Sequence, residues 1–126
     1  MENLNLQHTE DTPEVILNSF DGSCFIEGRS LPENAVAFYL PIIEWLNTYN
    51  NEISAAINFE FKLDYFNTAS AKQITKVMLT LQKIAQSNAV KIRWHYLTED
   101  ADIKSSGMRF AKLIKADIEL VAYDDN

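Results

Sequence analysis

Ile57-Asn58-Phe59-Glu60-Phe61-Lys62-Leu63-Asp64-Tyr65 alternates apolar and polar side chains, and Phe66-Asn67-Thr68-Ala69-Ser70-Ala71-Lys72 follows it directly. An alternation of period two is the pattern of a strand with one buried face. Downstream, Ile74, Val77, Met78, Leu81, Ile84 and Ala85 recur at helical spacing. Val90, Ile92, Trp94 and Tyr96 then alternate with Lys91, Arg93 and His95. Strand, amphipathic helix and strand in succession predict a crossover between parallel strands, which sets the fold class as α/β.

The same reading extends in both directions. Val15-Ile16-Leu17 and Cys24 to Gly28 read as strands joined through the Asp21-Gly22 turn, a hairpin. Ser30-Leu31-Pro32-Glu33 has the spacing of a capping box and opens a helix whose apolar face carries Phe38, Ile42, Trp45 and Tyr49. Pro41 inside that helix costs about 3 kcal/mol, so the helix bends or splits there. Ile103, Phe110 and Ile114 mark a third helix, and Ile118 to Ala122 a last strand. The expected order is ββαβαβαβ, a mixed and mainly parallel five-stranded sheet. Residues 1–12 are polar and aperiodic and read as a flexible tail, with 13–126 as one domain.

Strands covered on both faces run continuously apolar, whereas these keep a polar face. The helices are therefore expected on one side of the sheet, leaving Asn58, Glu60, Lys62, Lys91, Arg93 and His95 on the open side. That disfavours a doubly wound nucleotide-binding fold. Right-handed crossovers place every helix on one side only when the strands step in one direction. Arg29, Thr68 and Thr98 should then be neighbours on one rim, at the carboxyl ends of the strands.

The 126 residues carry a formal net charge of −7, with 47% apolar and 23% charged side chains, as in ordinary globular domains. Net acidity argues against nucleic acid and anionic membranes, which require basic patches. The longest apolar run, Ala35 to Ile43, contains Pro41 and is too short to span a bilayer. The N-terminus lacks the pattern of a secretory signal, and a single Cys24 suits a reducing compartment, so a cytoplasmic location is expected.

Catalytic chemistry finds little support. The two histidines are His8 in the tail and His95 in a strand, where a sheet-surface role is the simpler reading. Cys24 has no partner to activate it, and the glycines are scattered. Glu99, Asp100 and Asp102 stand where acidic groups favour a helix start, a commoner role than cation binding. No catalytic residue, metal or cofactor is expected. Thr68 is different. Hydroxyls at helix starts are most often caps. Ser70-x-x-Gln73 already supplies a capping box with Ser70 as the cap, leaving Thr68 two residues outside the helix and free to project. A phosphate there would meet the free N–H groups of the helix start and Lys72, and also Arg29. Arg29, Asn67, Ser70 and Lys72 form the expected partner-binding rim around it.

At these residues the chain resembles the SiaC family of bacterial regulatory phosphoproteins, which have a STAS-like fold. The segments concerned are 12–18, 25–35, Phe38-Tyr39-Leu40-Pro41 with Trp45-Leu46, and 64–72, with the strand from Val90 to Tyr96. The resemblance implies a non-enzymatic partner-switching protein. Its threonine, here Thr68, would be phosphorylated by a serine/threonine kinase of the anti-sigma-factor type. A metal-dependent serine/threonine phosphatase would reverse this. In some members the unphosphorylated form binds and stimulates a diguanylate cyclase, which ties the switch to cyclic-di-GMP and biofilm behaviour. Wider STAS antagonists carry Asp-Ser-Ser-Gly at this junction, whereas this chain has Asn67-Thr68-Ala69-Ser70. Two rivals stand beside this reading. One is a small enzyme or ligand-binding domain with a rim pocket lined by Arg29, Asp64 and Thr98. The other is a constitutive structural subunit, which would bury Thr68.

Overall fold

Six strands lie side by side in chain order: β1 (Leu4–Leu6), β2 (Glu14–Leu17), β3 (Ser23–Ser30), β4 (Ile57–Phe66), β5 (Val90–Leu97) and β6 (Asp117–Tyr123). The structure is a computed structural model that describes residues 1–125. β1, β2 and β3 pair antiparallel, and β3 to β6 are parallel. The three parallel crossovers run through α1 (Ala35–Glu52), α2 (Thr68–Ile84) and α3 (Ala101–Leu113).

The expected five-stranded, STAS-like arrangement is corrected to a mixed sheet of six strands. The sixth comes from the segment expected to be a flexible tail. Leu4 pairs with Leu17 and Leu6 with Val15, the Trp45 indole donates to the Glu2 carbonyl at 3.0 Å, and the Ser19 amide donates to Asn3 Oδ1 at 2.8 Å. Leu4 and Leu6 supply the only apolar alternation in that stretch. With three residues it is too short to stand out against polar neighbours, and the β2 edge is what orders it.

Every parallel strand is added next to the one before it, so each right-handed crossover falls on the same face. Ile57, Phe59, Phe61 and Leu63 are buried beneath the helices, while Asn58 and Asp64 on the other face are exposed. Trp94 lies at the centre of the aromatic core, with the rings of Phe61, Phe66 and Phe110 at 5.5, 6.0 and 5.4 Å. Gly107 on α3 lets the helix approach Trp94; a Cβ there would overlap the indole ring and Leu120. The open face is charged, as the alternation predicts. Arg93 pairs with Glu119 at 3.2 Å, His95 Nε2 lies 2.9 Å from Glu60 Oε1, and the Lys62 ammonium sits 4.5 Å from the Tyr123 ring centre.

Two local expectations change. Asn34, not Ser30, caps α1, its side chain accepting from the Ala37 amide at 3.0 Å. Ser30 ends β3 on its buried face, following Cys24 and Ile26 at every second position, so it faces inward rather than toward a helix start. Pro41 does not split α1, which is continuous from Ala35 to Glu52 with the proline ring on its exposed side. Gly28 has φ +120°, a backbone shape closed to side chains, and it stands at the register shift between Gly28 and Arg29.

Candidate regulatory site at the start of the second helix

α2 begins two residues before the expected cap. Asn67 (φ −84°, ψ 176°) is the N-cap, and its Oδ1 accepts from the Ser70 amide at 2.9 Å. Asparagine is as effective a cap as serine. Ser70 cannot serve, because its hydroxyl is committed elsewhere. Thr68 is therefore the first helical residue rather than a loop residue. It is exposed, and its hydroxyl makes no hydrogen bond among the described residues. The amides of Thr68 and Ala69 have no protein acceptor among the described residues either, since Asn67 satisfies only those of Ser70 and Ala71. Lys72, one turn on, is exposed and forms no ion pair among the described residues. A free hydroxyl, two unclaimed amides and an ammonium group thus share one corner of the fold. Together they can accept and hold a phosphate.

Beneath that corner lies a buried polar cluster. Ser70, fully buried, donates its hydroxyl proton to the Ser30 carbonyl at 2.9 Å. The Ser30 hydroxyl donates to Ser70 Oγ at 2.8 Å, which leaves it to accept from the Tyr39 hydroxyl at 2.7 Å. The Asn67 amide also donates to the Ser30 carbonyl, at 3.2 Å. Burial pushes the Tyr39 phenol up to about 12, although the Ser30 hydrogen bond opposes the rise. These contacts fasten the end of β3, the start of α2 and the second turn of α1 to each other. Ser70 is therefore inside the fold, not on the expected partner-binding rim. Neither Ser30 nor Tyr39 was anticipated here. The inward parity of Ser30 along β3 was the available signal for the first, and nothing in the sequence linked the second to it.

The remaining rim residues separate. Arg29 continues the open-face side of β3 and lines a cleft of about 400 Å3 with His8, Glu10, Glu14, Glu27 and Asp64. Thr98 borders another cleft with Asp100, Asp124 and Asp125, and its hydroxyl donates to the Tyr123 carbonyl at 3.2 Å. Neither cleft includes Thr68. The pocket of Arg29, Asp64 and Thr98 required by a ligand-binding reading does not form, because Thr98 faces a different depression. Asp100 caps α3 through the Ile103 amide at 3.0 Å, and Asp102 lies in its first turn, as the acidic cluster suggested. Cys24 is buried, and burial drives its thiol well above the ordinary range, away from reactivity. Among the described residues no group of three or more His, Cys, Asp or Glu is placed to hold a metal ion.

A sheet with all its helices on one side, displaying an unbonded threonine at a helix start, defines an α/β domain with an accessible hydroxyl at that start. Comparison with known proteins places it further. The chain belongs to the SiaC family, whose description is SiaC family regulatory phosphoprotein and whose sequence profile matches residues 6–123. The crystal structure of apo-SiaC from Pseudomonas aeruginosa superposes with a TM-score of 0.89 at 22% identity, covering 97% of this chain and 100% of that one. A chain of the crystal structure of the diguanylate cyclase SiaD in complex with its activator SiaC, from the same species, gives 0.90 at 22% identity. It covers 95% of this chain and 99% of its own length. An uncharacterised protein of Pseudomonas aeruginosa strain UCBPP-PA14 is 23% identical over 126 residues, 99% of this chain and 100% of that protein. No described helix is long and apolar enough to cross a membrane.

Proposed function

We propose that this chain is a non-enzymatic cytoplasmic adaptor whose affinity for a partner is set by phosphate on Thr68. A kinase of the anti-sigma-factor type adds the phosphate and a metal-dependent phosphatase removes it. The unphosphorylated form binds and stimulates a diguanylate cyclase, an assignment supported by the complex between SiaD and its activator SiaC. The observation that carries the reading is Thr68 itself, exposed at the first position of α2 with a free hydroxyl beside two unclaimed amides. Asn67 fixes the helix start and Lys72 offers a cation one turn on. Close to two negative charges would be held there, enough to alter docking of a partner on an already acidic protein.

Intact mass after co-expression with the cognate kinase tests the site. A single phosphate is expected on the native chain and none on Thr68→Ala. Binding of the cyclase is expected to weaken by roughly 5- to 150-fold on phosphorylation, the range of useful coupling energies. A phosphate that persists in Thr68→Ala, or cyclase binding indifferent to the phosphate, would overturn the reading.

A further inference from the structure

The two outer edges of the sheet differ. β1 is three residues long, a short edge of the kind that resists further pairing. β6 runs for seven residues, Asp117 to Tyr123, with neither proline nor glycine and with an unbroken register against β5. Among the described residues nothing pairs with its outer side. Asp124 and Asp125, which follow it, line a cleft with Thr98 and Asp100 on the side of β5 and leave that edge uncovered.

The backbone fixes which groups the edge offers. The Tyr123 carbonyl accepts from the Thr98 amide at 2.9 Å, so Tyr123 directs its backbone polar groups at β5. Successive residues of a strand direct these groups to opposite sides, so Asp117, Glu119 and Val121 follow Tyr123, while Ile118, Leu120 and Ala122 direct theirs outward. Leu120 is the middle residue of the strand. Gly107 of α3 stands over it, close enough that an added Cβ would overlap Leu120. Ser106, Phe110 and Leu113 face α2, so Met108, 42% exposed, lies on the side of α3 nearer β6.

We infer that β6 is a self-complementary edge that pairs antiparallel with β6 of a second copy of this chain, about a two-fold axis through Leu120. Each Leu120 then exchanges both backbone bonds with its counterpart, and each Ile118 does so with Ala122 of the other copy. On the open face Glu119 stands opposite Val121 and Asp117 opposite Tyr123, so no carboxylate meets a carboxylate. An axis at Glu119 would set that residue against itself, and one at Ile118 would set it against Asp117. Glu119 is also held by Arg93 at 3.2 Å within its own sheet, which keeps its charge off the facing strand. The two copies of Met108 add apolar contact beside the axis. A strand from an unrelated protein has no such built-in match, so the occupant is a second copy. The pairing is independent of phosphate on Thr68, because β5 stands between β6 and β4, the strand that leads into α2.

Sedimentation equilibrium of the native chain is expected to give the mass of two chains at about 100 μM and of one on dilution to about 0.1 μM. As concentration rises, the amides of Ile118, Leu120 and Ala122 should gain protection from hydrogen exchange, whereas that of Val121 is protected throughout. Ala122→Pro removes an outward N–H at an exposed position and should leave a folded single chain. Met108→Lys, which leaves the strand untouched, is expected to weaken association by about tenfold. Glu119→Cys and Val121→Cys test the register, since such facing residues lie about 4.5 Å apart at Cα, within disulfide range. Mixed under oxidising conditions they should link to each other, and neither should link to itself; Cys24 is buried and does not compete. A single-chain mass at every concentration, undiminished association in both Ala122→Pro and Met108→Lys, a link within either cysteine variant alone, or no link in the mixture would overturn the inference. So would a native chain that stays single while an extended valine–threonine peptide shifts the amides of Leu120 and Ala122, because the edge would then serve a foreign strand.

Discussion

Replacing Ser70 with alanine should weaken the fold measurably while leaving Thr68 available for modification. The hydroxyl that is lost makes two buried hydrogen bonds, to the Ser30 carbonyl and from the Ser30 hydroxyl. Each such bond contributes about 1 kcal/mol net. No orphan is created, because the Ser30 carbonyl still accepts from the Asn67 amide and the Ser30 hydroxyl still meets Tyr39. The expected cost is therefore about 1–2 kcal/mol, a fall in Tm of roughly 4–10 °C for a domain of this size. Ser30→Ala should cost more. It removes the same Ser30–Ser70 bond and strands the Tyr39 hydroxyl, whose desolvation adds about 1–3 kcal/mol. Tyr39→Phe should cost least of the three, since Ser30 and Ser70 still satisfy each other. Urea unfolding of the three variants gives the order directly, and intact mass after kinase treatment reports Thr68. A Tyr39→Phe loss exceeding that of Ser30→Ala would refute the bonding scheme. A Ser70→Ala protein of native stability that can no longer be modified would refute the separation of support from surface.

Two further outcomes follow from the core. Gly107→Ala should destabilise the protein by about 1–2 kcal/mol and shift the Trp94 emission, because a Cβ would overlap the indole and Leu120. The better helix propensity of alanine, about 1 kcal/mol, offsets only part of that; a stabilised variant would contradict the packing. Tyr39 titrates near 12 in the fold against 10 in the open chain, so its contribution is complete below pH 10 and is lost as pH rises from 10 toward 12. The rise of the buried Cys24 thiol acts in the same direction. Unfolding free energies measured across that window should decline, and Tyr39→Phe should flatten the decline; an unchanged slope would show that the phenol is hydrated.

The sequence disclosed most of the architecture because its central strands are long and strictly alternating. Phe59, Phe61, Ile92 and Trp94 could face only one way, and their polar neighbours required an open side. The three helices on one face followed from that alternation, whereas the order of all six strands is seen only in the structure. Short or shared signals failed. Leu4 and Leu6 acquire meaning only once β2 offers an edge. Ser30 and Ser70 both satisfied capping boxes on paper. Each is buried instead, because a helix start accepts any of several small polar residues and the choice is settled by packing. At the site, Thr68 emerged exposed as anticipated, whereas the rim expected around it divided. Arg29 and Thr98 stand at the ends of strands whose open-face clefts are separate from the start of α2.

The sheet that grows by one neighbour at a time also bears on how the polypeptide is made. A ribosome releases β1 first and β6 last, which is the spatial order of the finished sheet. Each newly emerged strand can join the outer edge of what already exists, and none has to be threaded between two that have met. Growth from the amino end is then a continuous extension, in which the hairpin serves as the seed and each helix covers the latest strand.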